Sequence, residues 1–129
     1  MNKINVVLVQ PKKLPKVMMV ENDLSEIRRV LGDGVLQYSP VYELGDKFVL
    51  IFTKSKSHII KRLNRYLVDQ NGVNYDLIEG DFIVARVDES GRYLESLNNY
   101  DIAKINDLYS RPLAFTELPD GGFYGYLIT

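Results

Sequence analysis

The chain has 129 residues, 46% of them hydrophobic and 26% charged, with 16 basic residues against 17 acidic and no cysteine. That size and apolar content support one hydrophobic core without staples, while the missing cysteines exclude disulfides, thiolate nucleophiles and thiolate zinc sites. No apolar run approaches the roughly 18 residues of a membrane-spanning helix, so a cytoplasmic protein with no membrane partner is expected.

Ile4 to Val9 is an apolar, β-branched run that predicts a buried strand. It is too short for a signal-peptide core and is stopped by Gln10-Pro11-Lys12-Lys13. Pro11 and Pro15 bracket a loop, after which Lys16 to Val20 can return as a second strand beside the first. Asp23-Leu24-Ser25-Glu26 has the spacing of a capping box, with Asp23 accepting from the main chain and Glu26 reaching back. Leu24, Ile27 and Leu31 recur at helical spacing, and Gly32-Asp33-Gly34 stops the helix.

Val35 to Tyr42 and Lys47 to Thr53 are β-type runs joined around Gly45-Asp46. Phe48 to Phe52 is apolar throughout, as a strand covered on both faces would be. Residues 57–67 read either as a helix or as a loop. In a helix, Ile59, Ile60, Leu63 and Leu67 form one stripe, and Lys61, Arg62 and Arg65 face solvent. Asn71-Gly72 between Tyr66-Leu67-Val68 and the alternating Val73, Tyr75 and Leu77 predicts a hairpin with a type I′ turn. Asp81 to Val87 is a further strand, ended by Asp88-Glu89-Ser90-Gly91. Asn98 or Asn99 can cap a helix carrying Ile102, Ile105, Leu108 and Tyr109, closed by Arg111-Pro112. The tail alternates on either side of Asp120-Gly121-Gly122 and predicts a terminal hairpin. Together these elements predict one α+β domain over residues 1–129, with a mixed or mainly antiparallel sheet and two or three helices.

The chemistry-bearing residues are sparse. His58, the one histidine, stands among lysines, where a surface or capping role is the ordinary reading. Asp69, Asp76, Glu79, Asp81, Asp88 and Glu89 lack the alternate spacing of a calcium loop. Gly32-Asp33-Gly34 lacks the third glycine of a dinucleotide fingerprint, and no phosphate-binding loop or serine elbow is present. No catalytic residue, metal or cofactor is therefore assigned, and a carboxylate-dependent enzyme stays as an alternative only.

Binding residues are easier to find. Lys54, Lys56, Lys61, Arg62 and Arg65 lie in a stretch free of acidic residues, with Tyr66 beside them for base stacking. They are the candidate contacts for nucleic acid or another anion, though a solvated helix face explains such a run more simply. Nine tyrosines are many for this length, and Tyr124 and Tyr126 fall on one face of the terminal strand. They form a candidate surface for a protein partner.

One ordered set of segments points to a family. Val6-Val7-Leu8-Val9-Gln10-Pro11 is followed by Leu63-Asn64-Arg65, an Asp-rich segment, Gly80-Asp81-Phe82-Ile83-Val84, and an Asp101-to-Tyr109 helix closed by Arg111-Pro112. This order resembles the small uncharacterised proteins grouped as domain of unknown function 3846. The resemblance covers a core of residues 4–112 and leaves 113–129 as a C-terminal hairpin extension. It implies a setting in phages, plasmids and other mobile elements of Gram-positive bacteria, and it implies no activity. It also singles out Asn64 and Arg65, a pair that either locks a connection to neighbouring main chain or binds a partner. The family has a proline-containing loop before this pair, and those prolines are absent here. The expected function is a non-enzymatic accessory protein of a mobile element that binds a protein partner. Interference with a host defence system is one role open to it, and a nucleic-acid-binding module is the alternative.

Overall fold

Two unbroken apolar runs cannot both lie at wet edges, and their burial organises the molecule. The computed structural model describes residues 3–32, 34–54 and 60–128. In chain order these form β1 (Lys3–Val9), β2 (Lys16–Glu21), α1 (Leu24–Leu31), β3 (Leu36–Val41) and β4 (Gly45–Thr53). A turn of 3-10 helix at Ile60–Arg62 leads into β5 (Leu63–Val68) and β6 (Asn74–Glu79). Then come β7 (Phe82–Val87), β8 (Leu94–Glu95), α2 (Asn99–Leu108), β9 (Leu113–Glu117) and β10 (Phe123–Leu127).

The main sheet runs β2-β1-β7-β4-β3, with every neighbour antiparallel and β8 pairing with one end of β7. β1 and β4 thus share one sheet but stand on either side of β7. The ribbons β5–β6 and β9–β10 are separate two-stranded sheets, so the predicted α+β domain is built from several sheets, all antiparallel, and two α-helices among the described residues.

Alternation along the central strands divides the core in two. Ile4, Val6 and Leu8 of β1 join Val20, Ile51, Ile83 and Ala85 beneath Ile27 and Leu31 of α1. On the opposite face Val7, Val9, Phe48, Leu50, Phe82 and Val84 meet Leu67 and Ile78 of the β5–β6 ribbon and Leu97, Ile105 and Tyr109 around α2. Each such large side chain contributes about 1.5–3 kcal/mol by burial. Phe82 and Tyr109 pack edge to face at 5.2 Å between ring centres.

Local chemistry explains the element ends, with some departures from expectation. Asp23 Oδ1 accepts from Glu26 N at 2.9 Å, but Glu26 pairs with Arg29 at 2.6 Å instead of reaching back. The reciprocal box forms at α2, between Asn98 and Asp101. At the β5–β6 turn only Gly72 has a positive φ, so the turn is not type I′. Gly72 N donates to Asp69 O, and the Asp69 carboxylate accepts from the amides of Asn71 and Val73. β3 and β4 are joined by residues 42–44, with Gly45 already opening β4. Residues 63–67, the described end of the 57–67 stretch expected as helix or loop, are strand after the 3-10 turn. No helix among the described residues is long and apolar enough to cross a membrane.

Candidate functional site

At the start of β5 the pairing with β6 is irregular: Leu63 opposes Glu79 and Arg65 opposes Ile78, so Asn64 is an extra residue. Such a bulge breaks the alternation of side chains, and both Asn64 and Arg65 turn inward, 0% and 4% exposed. Asn64 Nδ2 donates to Val9 O at 2.9 Å and to Gly80 O at 2.8 Å. Its Oδ1 accepts from Arg65 Nη1 at 2.9 Å, and Arg65 Nη2 donates to Tyr109 O at 3.0 Å and Lys13 O at 3.2 Å. The pair thereby ties β5 to the end of β1, the loop after it, the β6–β7 turn and the end of α2. Arg65 meets oxygens of carbonyls and an amide, with no carboxylate among its hydrogen-bond partners in the described residues, and burial lowers its pKa from the ordinary arginine value. The enclosed guanidinium is engaged with main-chain carbonyls of Lys13 and Tyr109.

Among the described residues of the basic stretch, Arg65 does not take the solvent-facing place that a helix would give it. Arg65 is sequestered, and Arg62 projects beside the buried carboxylate of Glu79, with 3.9 Å between Nη1 and Oε1. Lys54 is exposed at the end of β4. Lys56 and His58 lie outside the described residues, as does the side chain of Lys61. Tyr66 is committed too. Its hydroxyl accepts from Gly125 N at 2.8 Å, and its ring packs edge-on against Phe115.

The carboxylates are spread over turns and strands. Asp69 and Asp76 accept from nearby main-chain amides, Asp81 accepts weakly from Gln10 at 3.4 Å, and Asp88 accepts from Ser90 Oγ at 2.6 Å. The Ser90 bond is the first reason the Asp88 pKa falls below its ordinary value. Among the described residues no three metal-ligating side chains group together.

Tyr124 and Tyr126 are brought together as expected of alternate residues on one strand. They stand on β10, 57% and 47% exposed, opposite Thr116 and Ala114 of β9. The inner face of the same hairpin carries Phe115 and Gly125 against Tyr66 of β5. Aromatic rings on a docked hairpin offer contact area with little ordering left to lose on binding.

Two further features were not visible in residue spacing. Arg86, inside an otherwise apolar strand, bridges Glu95 and Asp101, both at 3.0 Å. A groove of about 540 Å³ runs beside α1, floored by Ile27, Val49, Val87 and Leu94 and rimmed by Tyr38 and Tyr93. These residues come from five segments of the chain, and only the sheet order joins them.

A family model described as domain of unknown function (DUF3846) matches residues 4–110. No curated protein and no solved structure matches the chain.

Proposed function

From the fact that the chain belongs to the domain of unknown function 3846 family, we infer a function that its own surfaces must specify, since the family's description assigns none. We propose a non-enzymatic cytoplasmic accessory protein of a phage or other mobile element that binds a protein partner. The Tyr124–Tyr126 face of the terminal hairpin is the contact surface. The observation that carries this reading is the placement of the two rings. They are exposed on a hairpin that lies beyond the matched segment and is docked on the body through Tyr66. Tyrosine supplies large contact area with a polar end, which suits a surface that is wet when free and dry when bound. Interference with host defence is one role that such a module can serve.

The reading is tested by identifying the partner with the wild-type chain as bait, then titrating the purified partner against wild type and Tyr124→Ala/Tyr126→Ala. The expected result is binding weakened at least tenfold by the double substitution, with thermal unfolding unchanged. Equal affinity in the two proteins would move the interface off the hairpin. A salt-sensitive complex with nucleic acid, lost in Lys61→Glu/Arg62→Glu, would replace the protein-partner reading altogether.

A further inference from the structure

The two edges of the main sheet are built differently. β3 carries Pro40, which has no N–H to offer, and its register breaks between Pro40 and Val41. Proline and a bulge are ordinary devices for blunting an edge against other chains. β2 has neither. Its six residues pair with β1 without a register shift, from Lys16 opposite Leu8 to Glu21 opposite Lys3. Charges occur only at its ends, and the interior reads Val17-Met18-Met19-Val20. Among the described residues its outer edge pairs with no strand. On the face away from α1, Val17 and Met19 are 44% and 62% exposed.

We propose that β2 is the surface through which two copies of this chain associate, edge to edge and antiparallel, joining their main sheets into one. The argument for a second copy is the way β2 matches itself. A two-fold axis normal to the sheet keeps the α1 side of both copies on one face. Directly opposed residues must then belong to the same face, because successive side chains alternate. With the axis at Met18, Val17 opposes Met19 of the other copy and Met19 opposes Val17. The exposed apolar side chains thus cover one another. Met18 faces its own copy, Lys16 faces Val20, and no like charges meet across the pair, a juxtaposition that would destabilise it. Centring the axis on Met19 would instead set Val17 against Glu21. The Met18 register is therefore the one the sequence of β2 favours.

The absence of cysteine makes a direct test clean. Met18→Cys introduces one thiol at the position that opposes itself, and cross-strand Cβ separations are within disulfide reach. Leu24→Cys, exposed on α1, is the control. Under mild oxidation Met18→Cys should form a covalent dimer at least tenfold faster than Leu24→Cys. In sedimentation equilibrium the wild type should approach twice the 14.8 kDa chain mass as concentration rises. Met19→Lys should weaken association at least tenfold while leaving the circular dichroism spectrum, and the melting temperature at concentrations where the wild type is dissociated, intact, since that side chain is exposed within one copy. A wild type that keeps the single-chain mass at high concentration would overturn the proposal. So would a dimer that survives Met19→Lys, with Met18→Cys no faster than the control.

Discussion

Arg65 shows how a single extra residue changes what a charge is for. On a regular strand or a solvent-facing helix, Arg65 would have been the end of a basic row. The bulge at Asn64 turns it inward, onto the carbonyls of Lys13 and Tyr109. The prominence of the pair was legible in the sequence, through the family resemblance; its inward turn was not, because register is decided by β6. Arg65→Lys keeps the charge but loses the planar fork that reaches Asn64, Lys13 and Tyr109 together. It should destabilise the fold by about 2–3 kcal/mol, and Asn64→Ala by about 2–4 kcal/mol, as orphaned buried groups require. Urea unfolding checks both. Tyr109 adds a pH signature. Its hydroxyl is held well above the ordinary 10.0, first by burial and then by the charge of Glu43, against the opposing charge of Arg65. Above that ordinary value the unfolded chain releases the phenolic proton and the folded chain keeps it. The unfolded state then binds fewer protons, and stability falls as pH rises from about 10 towards the folded pKa. Tyr109→Phe should flatten this alkaline decline relative to wild type in urea midpoints measured from pH 8 upward.

Among the elements, those defined by local chemistry were legible and those defined by a partner strand were not. α1 and α2 announce themselves by Asp23 and Asn98 at their caps and by apolar residues at helical spacing. β5 is ambiguous by itself, and β8, two residues long, exists only because it fits beside the end of β7. The terminal hairpin was foreseen from its alternation, but its docking depends on Gly125, which spacing does not mark. A Cβ at that position would lie 2.9 Å from both the Phe115 ring and the Tyr66 hydroxyl. Those are the groups that hold the hairpin down, so neither can yield without loosening it. Gly125→Ala should therefore lift the hairpin and break the Tyr66 bond, at a cost of roughly 1–3 kcal/mol, as overpacking does. Hydrogen exchange should accelerate across residues 113–127 and stay slow in β7. Unchanged exchange in the hairpin would show that the contact tolerates a methyl group.

For the whole molecule, the apolar runs revealed which strands are central but not their order. Ile4–Val9 and Phe48–Phe52 had to be covered on both faces. That β7 separates them follows from pairings between residues tens of positions apart, which a single sequence does not display. The two-sided core makes a decisive experiment possible at Leu50. This residue is 3% exposed, opposes Val84 on β7 and Ser39 on β3, and packs in the cluster beneath α2 and the β5–β6 ribbon. Leu50→Ala removes buried apolar contacts and should cost about 2–5 kcal/mol, leaving a folded protein with a lower melting temperature. Leu50→Asp adds to that loss a carboxylate with no partner, which must either stay charged in an apolar layer or take up a proton to enter it. The combined penalty approaches the whole stability of a typical domain, about 5–15 kcal/mol. Leu50→Asp should therefore fail to accumulate as soluble folded protein, whereas Tyr38→Asp, at an exposed position on β3, should fold. Wild-type-like thermal unfolding of Leu50→Asp would mean that β4 is not covered on both faces and that the layered core is wrong.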